Sequence, residues 1–159
     1  MRPGLATGVA MGLMLAAGVP GHLRGQTAGQ PAVSGTHAGD VAYFPARDVE
    51  AQFAKGGTLV DGVNWRVMTS LRTGGGEAEQ HAVDTDILHV LEGSATFITG
   101  GVMTGAHETA PGETRGTGLE GGTERTLSVG DVITIAAGVP HWFKAVDPRV
   151  KYFVVKVRR

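Results

Sequence analysis

Short runs of alternating apolar and polar residues, separated by glycines, dominate the chain beyond residue 60. Residues 63–71 carry an apolar or Thr side chain at every second position, which is the period of a half-buried β-strand. The apolar face of this strand comprises Val63, Trp65, Val67, Thr69 and Leu71. Further strands are predicted at 87–91, 94–98, 125–129, 132–135, 141–146 and 150–157. A turn at Glu92-Gly93 is expected to make 94–98 the returning strand of a hairpin with 87–91. Many short strands joined by glycine turns predict an all-β fold, either a closed barrel or two sheets.

One helix is expected before these strands. It begins at Pro45, places Val49 and Phe53 four positions apart, and runs to Lys55 before a pair of glycines. Proline at a helix start and glycine just after the end are ordinary boundary residues. The pattern therefore predicts a short N-terminal amphipathic helix, packed on the sheet through Val49 and Phe53.

The N-terminal stretch differs in composition from the rest of the chain. Arg2 is followed at 5–20 by residues that are almost wholly apolar or glycine. This is the pattern of a secretory signal, and it is shorter than the ~20 residues a membrane span needs. We predict a signal peptide over 1–28, a disordered lead-in over 29–40 and one domain over 41–159. A periplasmic or secreted location follows, without membrane attachment after signal removal. A buried N-terminal helix is the alternative.

Composition narrows the chemistry. The chain contains no cysteine, which excludes disulfides, thiolate metal ligands and a cysteine nucleophile. Its net charge is −1 and its basic residues are scattered, so a nucleic-acid partner is not expected. Any metal ion must therefore be bound through nitrogen and oxygen.

A long connection separates two of the predicted strands. Residues 99–122 are nearly all Gly, Thr, Ala and Glu, and a connection of this length is usually functional or disordered. It contains His107, Glu108 and Arg115. These side chains either lie over the mouth of a barrel or belong to a surface excursion.

The candidate chemistry lies in two stretches about fifty residues apart. Glu79 and His81 share a strand face, and the chain must turn or bulge before Asp86. A glycine–proline turn then presents His141 at the start of a later strand. Two imidazoles with a carboxylate commonly bind a divalent ion and leave positions open for substrate. The alternative is that these histidines are polar core residues. His89 falls on the opposite face from its neighbours and is expected at the surface.

The spacing of these residues resembles the two motifs of the cupin superfamily. The first motif is Gly, five residues, His-x-His, three or four residues, Glu, six residues and Gly. Here His81 fits the second histidine, and Asp86 occupies the glutamate position before Gly93. The second motif is Gly, five residues, Pro-x-Gly, two residues, His, three residues and Asn. Its matching positions are Gly130, Gly138 and His141.

This resemblance covers about residues 60–157 and includes departures from the family's motifs. Glu79 replaces the first histidine, Asp86 the glutamate, Ala136 the proline and Ala145 the asparagine. The resemblance implies a double-stranded β-helix, the cupin jelly-roll barrel, of the small single-domain secreted type. It also implies that His81, Asp86 and His141 bind a metal ion. Glu79 would be a fourth ligand, bind through water, or accept a proton beside the metal.

Cupin barrels serve dioxygenases, isomerases, decarboxylases, ligand-binding proteins and storage proteins, so the fold does not define the function. The resemblance implies a small-molecule metalloenzyme of the oxygenase or isomerase/lyase type, with Fe, Mn, Ni or Zn as cofactor. The alternative is a non-enzymatic module that binds a small ligand with or without metal. A structural role would need an exposed apolar patch, for which strand 150–157 is the candidate. A homodimer formed by sheet packing is also implied.

Overall fold

The structure, a computed structural model, describes residues 41–159. The predicted signal peptide (1–28) and lead-in (29–40) lie outside the described residues. The elements in chain order are α1 (Ala46–Lys55), β1 (Gly57–Asp61), β2 (Trp65–Arg72), β3 (Ala78–His81), β4 (Asp84–Thr99), β5 (Val102–Thr104), β6 (His107–Ala110), β7 (Glu113–Gly116), β8 (Gly118–Glu120), β9 (Thr123–Leu127), β10 (Val132–Ile135) and β11 (His141–Arg158). No helix within 41–159 is long and apolar enough to cross a membrane.

Two long strands, β4 and β11, organise the barrel. They pair antiparallel from Asp84↔Arg158 to Thr99↔His141. One layer runs β1-β2-β11-β4-β10, using the second half of β11 and the first half of β4. The other runs β6-β7-β3-β11-β4-β9 and uses the opposite halves. The two layers enclose one apolar core, which confirms the expected all-β jelly roll.

The long strands correct one expectation. Residues 87–91 and 94–98 do not form a hairpin, because both segments belong to β4 and pair with β11 rather than with each other. The chain bends at Gly93, whose φ is +73°. A Cβ at this position would overlap the carbonyl oxygen of Arg149, so glycine is required both for φ and for the close approach of β11. Residues 141–146 and 150–157 likewise lie in a single strand.

Apolar side chains from both layers fill one end of the barrel. The buried set is Leu88, Val90, Ala95, Phe97, Leu127, Ile135, Phe143, Val150, Tyr152 and Val154. The rings of Phe97 and Phe143 meet edge to face at 4.6 Å, and Phe143 stacks on Tyr152 at 4.9 Å. Each fully buried side chain of this size contributes about 1.5–3 kcal/mol. Phe97 also lies 6.0 Å from the His141 ring, where the core gives way to polar groups.

Helix α1 has the expected bounds and covers the edge of the first layer. Phe53 is buried, its ring 5.0 Å from that of Phe153, whereas Val49 is only partly buried. The expectation for β2 is only half right. Thr69 is buried as predicted, but Trp65 and Leu71 are each 38% exposed. The interior contacts come from the other face of β2, where Met68 packs on the core.

The connection over 99–122 is not a loop. It contains β5 to β8, in which β5 pairs with β8 and β6 pairs with β7. Strand β7 also pairs with β3 and thereby extends the second layer. The threonines of this segment are β-branched and favour extended backbone, and the glycines supply the turns. Because the pairing of β7 with β3 is long-range, the composition of the segment did not reveal it.

Candidate metal centre

The four residues predicted as ligands lie at the polar end of the barrel interior. Glu79 and His81 are two positions apart on β3, so their side chains share one face. His141, the first residue of β11, is the cross-strand partner of Glu79. Asp86 lies in β4, and a bend at residues 82–83 separates β4 from β3 as the sequence predicted. His81, Asp86 and His141 are all at most 5% exposed.

The ligand atoms of these residues converge. Those of Glu79, His81 and His141 all lie within 4.8 Å of one another. Asp86 Oδ2 is 3.4 Å from His81 Nε2 and 3.8 Å from His141 Nε2. Glu79 lies 3.9 Å from the first of these nitrogens and 3.7 Å from the second. Ligand atoms about 2.1 Å from one ion are about 3–3.5 Å apart, so a small contraction would bring this set around a cation.

The outer nitrogens of both imidazoles are already satisfied. His81 Nδ1 lies 2.6 Å from Glu113 Oε2, and His141 Nδ1 lies 3.1 Å from the carbonyl oxygen of Val139. Each Nδ1 therefore carries a proton that it donates, which leaves the lone pair on Nε2. Metal-binding histidines are usually oriented in this way by an acceptor behind the ring. The donor set thus fits a divalent cation of the nitrogen- and oxygen-binding kind.

The two carboxylates differ in their counter-charges. Asp86 accepts hydrogen bonds from Lys156 Nζ at 2.8 and 2.9 Å, so both of its oxygens face an ammonium group. Glu79 faces two arginines instead. It accepts a hydrogen bond from Arg115 Nη1, and Arg72 Nη2 lies 3.6 Å from its other oxygen. The three residues whose ligand atoms all lie within 4.8 Å of one another are Glu79, His81 and His141, whereas Asp86 lies beside them.

Comparison with solved structures agrees with this architecture. The chain is similar to the protein BH2720 from Bacillus halodurans, with a TM-score of 0.54 and 17% identity over 76% of this chain and 84% of that one. The fold is that of a cupin-type β-barrel. At such identity the likeness concerns the fold alone.

Two other matches are weaker. The DMSP lyase DddQ from Ruegeria pomeroyi has a TM-score of 0.43 and 19% identity, covering 62% of this chain and 40% of the lyase. A cupin domain from Bordetella pertussis has a TM-score of 0.42 and 15% identity, covering 65% of this chain and 92% of that domain. No protein-family model and no curated protein matches the chain.

The pKa shifts of the two histidines in this cupin-type barrel run in opposite directions. Burial lowers the pKa of His141 to about 4, and Val139 and Asp86 offset this only partly. Burial also lowers the pKa of His81, but the attraction of Asp86 and Glu113 outweighs it and the net pKa is raised. Burial raises the pKa of Asp86, whereas His81 and Lys156 lower it, and the net direction is down. His141 is therefore neutral at pH 7, with Nε2 free to bind.

The centre opens into a cavity of about 540 Å³ between the two layers. Glu79, His81 and Asp86 form part of its wall, together with Arg72 and Arg115. The volume is within the usual range for small-molecule sites. The cupin-type barrel therefore holds its candidate ligands at the inner wall of a ligand-sized space.

Sequence reasoning missed three residues of this site, Arg72, Glu113 and Lys156. Glu113 and Arg115 lie opposite His81 and Glu79 in the β3–β7 pair, and only Arg115 was noted, without a partner. Lys156 was overlooked, although it continues the buried series Val150, Tyr152, Val154 at period two. A lysine that follows the same two-residue alternation as the inward-facing residues is the signal that would have identified it.

The remaining histidines of the described barrel are elsewhere. His89 lies on the exposed face of β4, as predicted. His107 and Glu108 are exposed on β6, away from the centre. Glu108 accepts a hydrogen bond from the backbone of Gly112, which is a turn contact. Of the three residues noted in the long connection, only Arg115 reaches the cavity.

Proposed function

We propose that this protein is an exported cupin-type metal-binding protein that acts as a small-molecule metalloenzyme of the oxygenase or isomerase/lyase type. The observation that carries the proposal is the pair of buried imidazoles whose Nδ1 atoms are both satisfied and whose Nε2 atoms face two carboxylates. A bound Fe, Mn, Ni or Zn ion would supply Lewis acidity and, for a redox-active metal, dioxygen chemistry.

The chain's own residues would perform three tasks. Glu79, His81 and His141 would hold the ion, with Asp86 as a further ligand or as an acceptor beside it. Glu113 fixes the orientation of His81 through Nδ1. Phe97 and the core behind His141 exclude water from one side, so that substrate enters only from the cavity.

A second candidate function has its own support. Around the imidazoles, the three carboxylates of Glu79, Asp86 and Glu113 are matched by three cations, Arg72, Arg115 and Lys156. The site is therefore charge-balanced without a metal ion. This balance favours the alternative of a non-enzymatic module that binds a small ligand in the same cavity.

Metal analysis separates the two candidates. The full chain would be purified, loaded with each of the four metals, dialysed and analysed for bound metal. For the metalloenzyme we expect close to one ion per chain, and well below one in His81→Ala and in His141→Ala. His89→Ala is the matched control because His89 is an exposed histidine of the same barrel. Oxygen uptake with catechol, thiol and keto-acid substrates would then test turnover.

The outcomes are distinct. Stoichiometry well below one ion in the unmodified protein would remove the metalloenzyme and leave the ligand-binding module. Equal metal content in His89→Ala and His141→Ala would place the metal elsewhere. One ion per chain without turnover on any substrate would support a metal-dependent binding protein.

Export and assembly complete the proposal. The apolar segment at 5–20 supports removal of residues 1–28 and a periplasmic or secreted location. N-terminal sequencing of the periplasmic protein is expected to begin near Gly29, and an intact Met1 in that fraction would contradict export. A homodimer is expected by analogy with other cupin barrels. Light scattering after size exclusion would test it, and a monomeric mass would reject it.

A further inference from the structure

The cavity wall carries more positive than negative charge. Six of the side chains that line it are basic and four are acidic, a surplus of two positive charges. The whole chain, in contrast, has a net charge of −1. A divalent ion at the candidate centre would raise the local surplus further. A low-dielectric cavity with this imbalance favours an anionic ligand.

Two of the six basic side chains share one carboxylate. Arg72 approaches from β2 of one layer and Arg115 from β7 of the other, and both face the single carboxylate of Glu79. Arg72 is the looser partner, at 3.6 Å. The two arginine side chains are 28% and 30% exposed, so part of each guanidinium group faces the open cavity. One carboxylate cannot use the five N–H donors of each of two guanidinium groups.

Arg72 is held in place for this contact. Its Nε donates a hydrogen bond to the Tyr152 hydroxyl at 2.8 Å, and its guanidinium carbon lies 4.7 Å from the centre of the Phe143 ring. Tyr152 and Phe143 are each 3% exposed and belong to the core. The guanidinium plane is therefore fixed before any ligand arrives, which reduces the entropy lost on binding.

We propose that the cavity binds a small carboxylic acid whose carboxylate is held by Arg72 and Arg115. The planar fork of a guanidinium group matches the two oxygens of a carboxylate. Asp86 is paired with Lys156 and Glu113 with His81, so the two guanidinium groups share the single carboxylate of Glu79, which suits a singly charged group better than a phosphate. The assignment rests on the proposed function in that this cavity is the ligand site beside the metal centre.

Matched acids and amides test the assignment. Calorimetry would compare pyruvate, lactate and malonate with pyruvamide, lactamide and malonamide, on metal-loaded and on chelator-treated protein. We expect at least one acid to bind about 10- to 100-fold more tightly than its amide, since each charge-assisted hydrogen bond contributes substantially. Arg115→Gln should lose most of that difference. Arg125→Gln, an exposed arginine on β9, should retain it.

Each result either supports or overturns the assignment of a carboxylate site. Equal binding of every acid and its amide would overturn it, as would an Arg115→Gln variant with unchanged preference. Inorganic phosphate bound as tightly as the best acid would overturn the choice of a carboxylate. Metal content measured on the same samples keeps the two proposals apart. If protein that binds no metal still prefers an acid to its amide, and this preference depends on Arg115, the metalloenzyme proposal is rejected and the carboxylate site is supported.

Discussion

The interior of this barrel has an apolar end and a charged end, separated by the ring of His141. At the apolar end, Phe97, Phe143 and Tyr152 pack ring to ring. At the charged end, buried Asp86 is paired with Lys156 and opens onto the cavity. Both ends are built from the same strands, β4 and β11, whose middle residues supply the apolar core and whose ends supply Asp86, His141 and Lys156.

The two ends differ in what they contribute. Apolar burial stabilises the fold in proportion to the area removed from water. A buried ion pair loses most of its Coulombic gain to desolvation, and apolar replacements are often as stable. The charged end therefore contributes little to stability for its size. We infer that the apolar end holds the barrel together and that the charged end is maintained for binding.

The largest expected effect comes from the apolar end. Phe97→Ala removes a side chain with no solvent exposure from the middle of the core. We expect the free energy of unfolding to fall by about 3–5 kcal/mol, through lost burial and the cavity left behind. Urea denaturation of metal-free protein measures it. Val132→Ala, at a position 62% exposed, is the control and should change stability by less than about 0.5 kcal/mol. A small effect of Phe97→Ala would contradict the comparison.

The sequence predicts elements that form through contacts between nearby residues better than it predicts pairings between residues far apart in the chain. Helix α1 and strand β10 follow from local patterns and have the predicted bounds. The convergence of Glu79, His81, Asp86 and His141 came from motif spacing, and the structure does bring these residues together. The bend at Gly93 was read as a hairpin because a glycine turn does not reveal which strands pair across it.

The charged partners were harder to predict. Strand β7 brings Glu113 and Arg115 to β3 through long-range pairing, for which a Gly- and Thr-rich segment gives no signal. For β2 the apolar face was taken as the interior, yet the cavity is lined by charges, so Arg72 on the other face was missed. Where the interior of a barrel is polar, the polar face of a strand points inward, which is the reverse of the usual interpretation of an alternating pattern.

A second, smaller effect is expected at the boundary between the two ends. The folded pKa of His141 is about 4, below its unfolded value of about 6.5. Between these values the unfolded chain binds the additional proton, so stability is lost as the pH falls from 6.5 to 4. The loss attributable to His141 should reach at most about 3 kcal/mol. Urea denaturation of chelator-treated protein at several pH values measures it.

The His141→Gln variant isolates the contribution of His141 to this pH dependence of stability. It removes the titrating group, so the decline between pH 6.5 and 4 should become shallower by a similar amount. Among the other shifted groups, Glu92, whose pKa its hydrogen bond with Arg149 lowers, acts only at the acidic edge of this window and is the same in both proteins. The raised pKa of His81 affects stability above pH 6.5, and the lowered pKa of Asp86 affects it below about 4. An unchanged decline in His141→Gln would show that His141 is not buried in its neutral form.

The smallest effect is expected behind the centre, at Glu113. Glu113→Gln keeps an oxygen that can accept the His81 Nδ1 proton but removes the negative charge at 2.6 Å. We expect metal affinity to fall about 10- to 100-fold, or about 1.4–2.7 kcal/mol, measured by competition with a chromophoric chelator. The pKa of His81 should also fall, since Glu113 helps to raise it, and NMR titration of metal-free protein reports this. Glu108→Gln, exposed on neighbouring β6, is the control and should leave both quantities unchanged. If Glu113→Gln matched that control, His81 would not depend on the carboxylate behind it, and the charged end would extend no further than the residues facing the cavity.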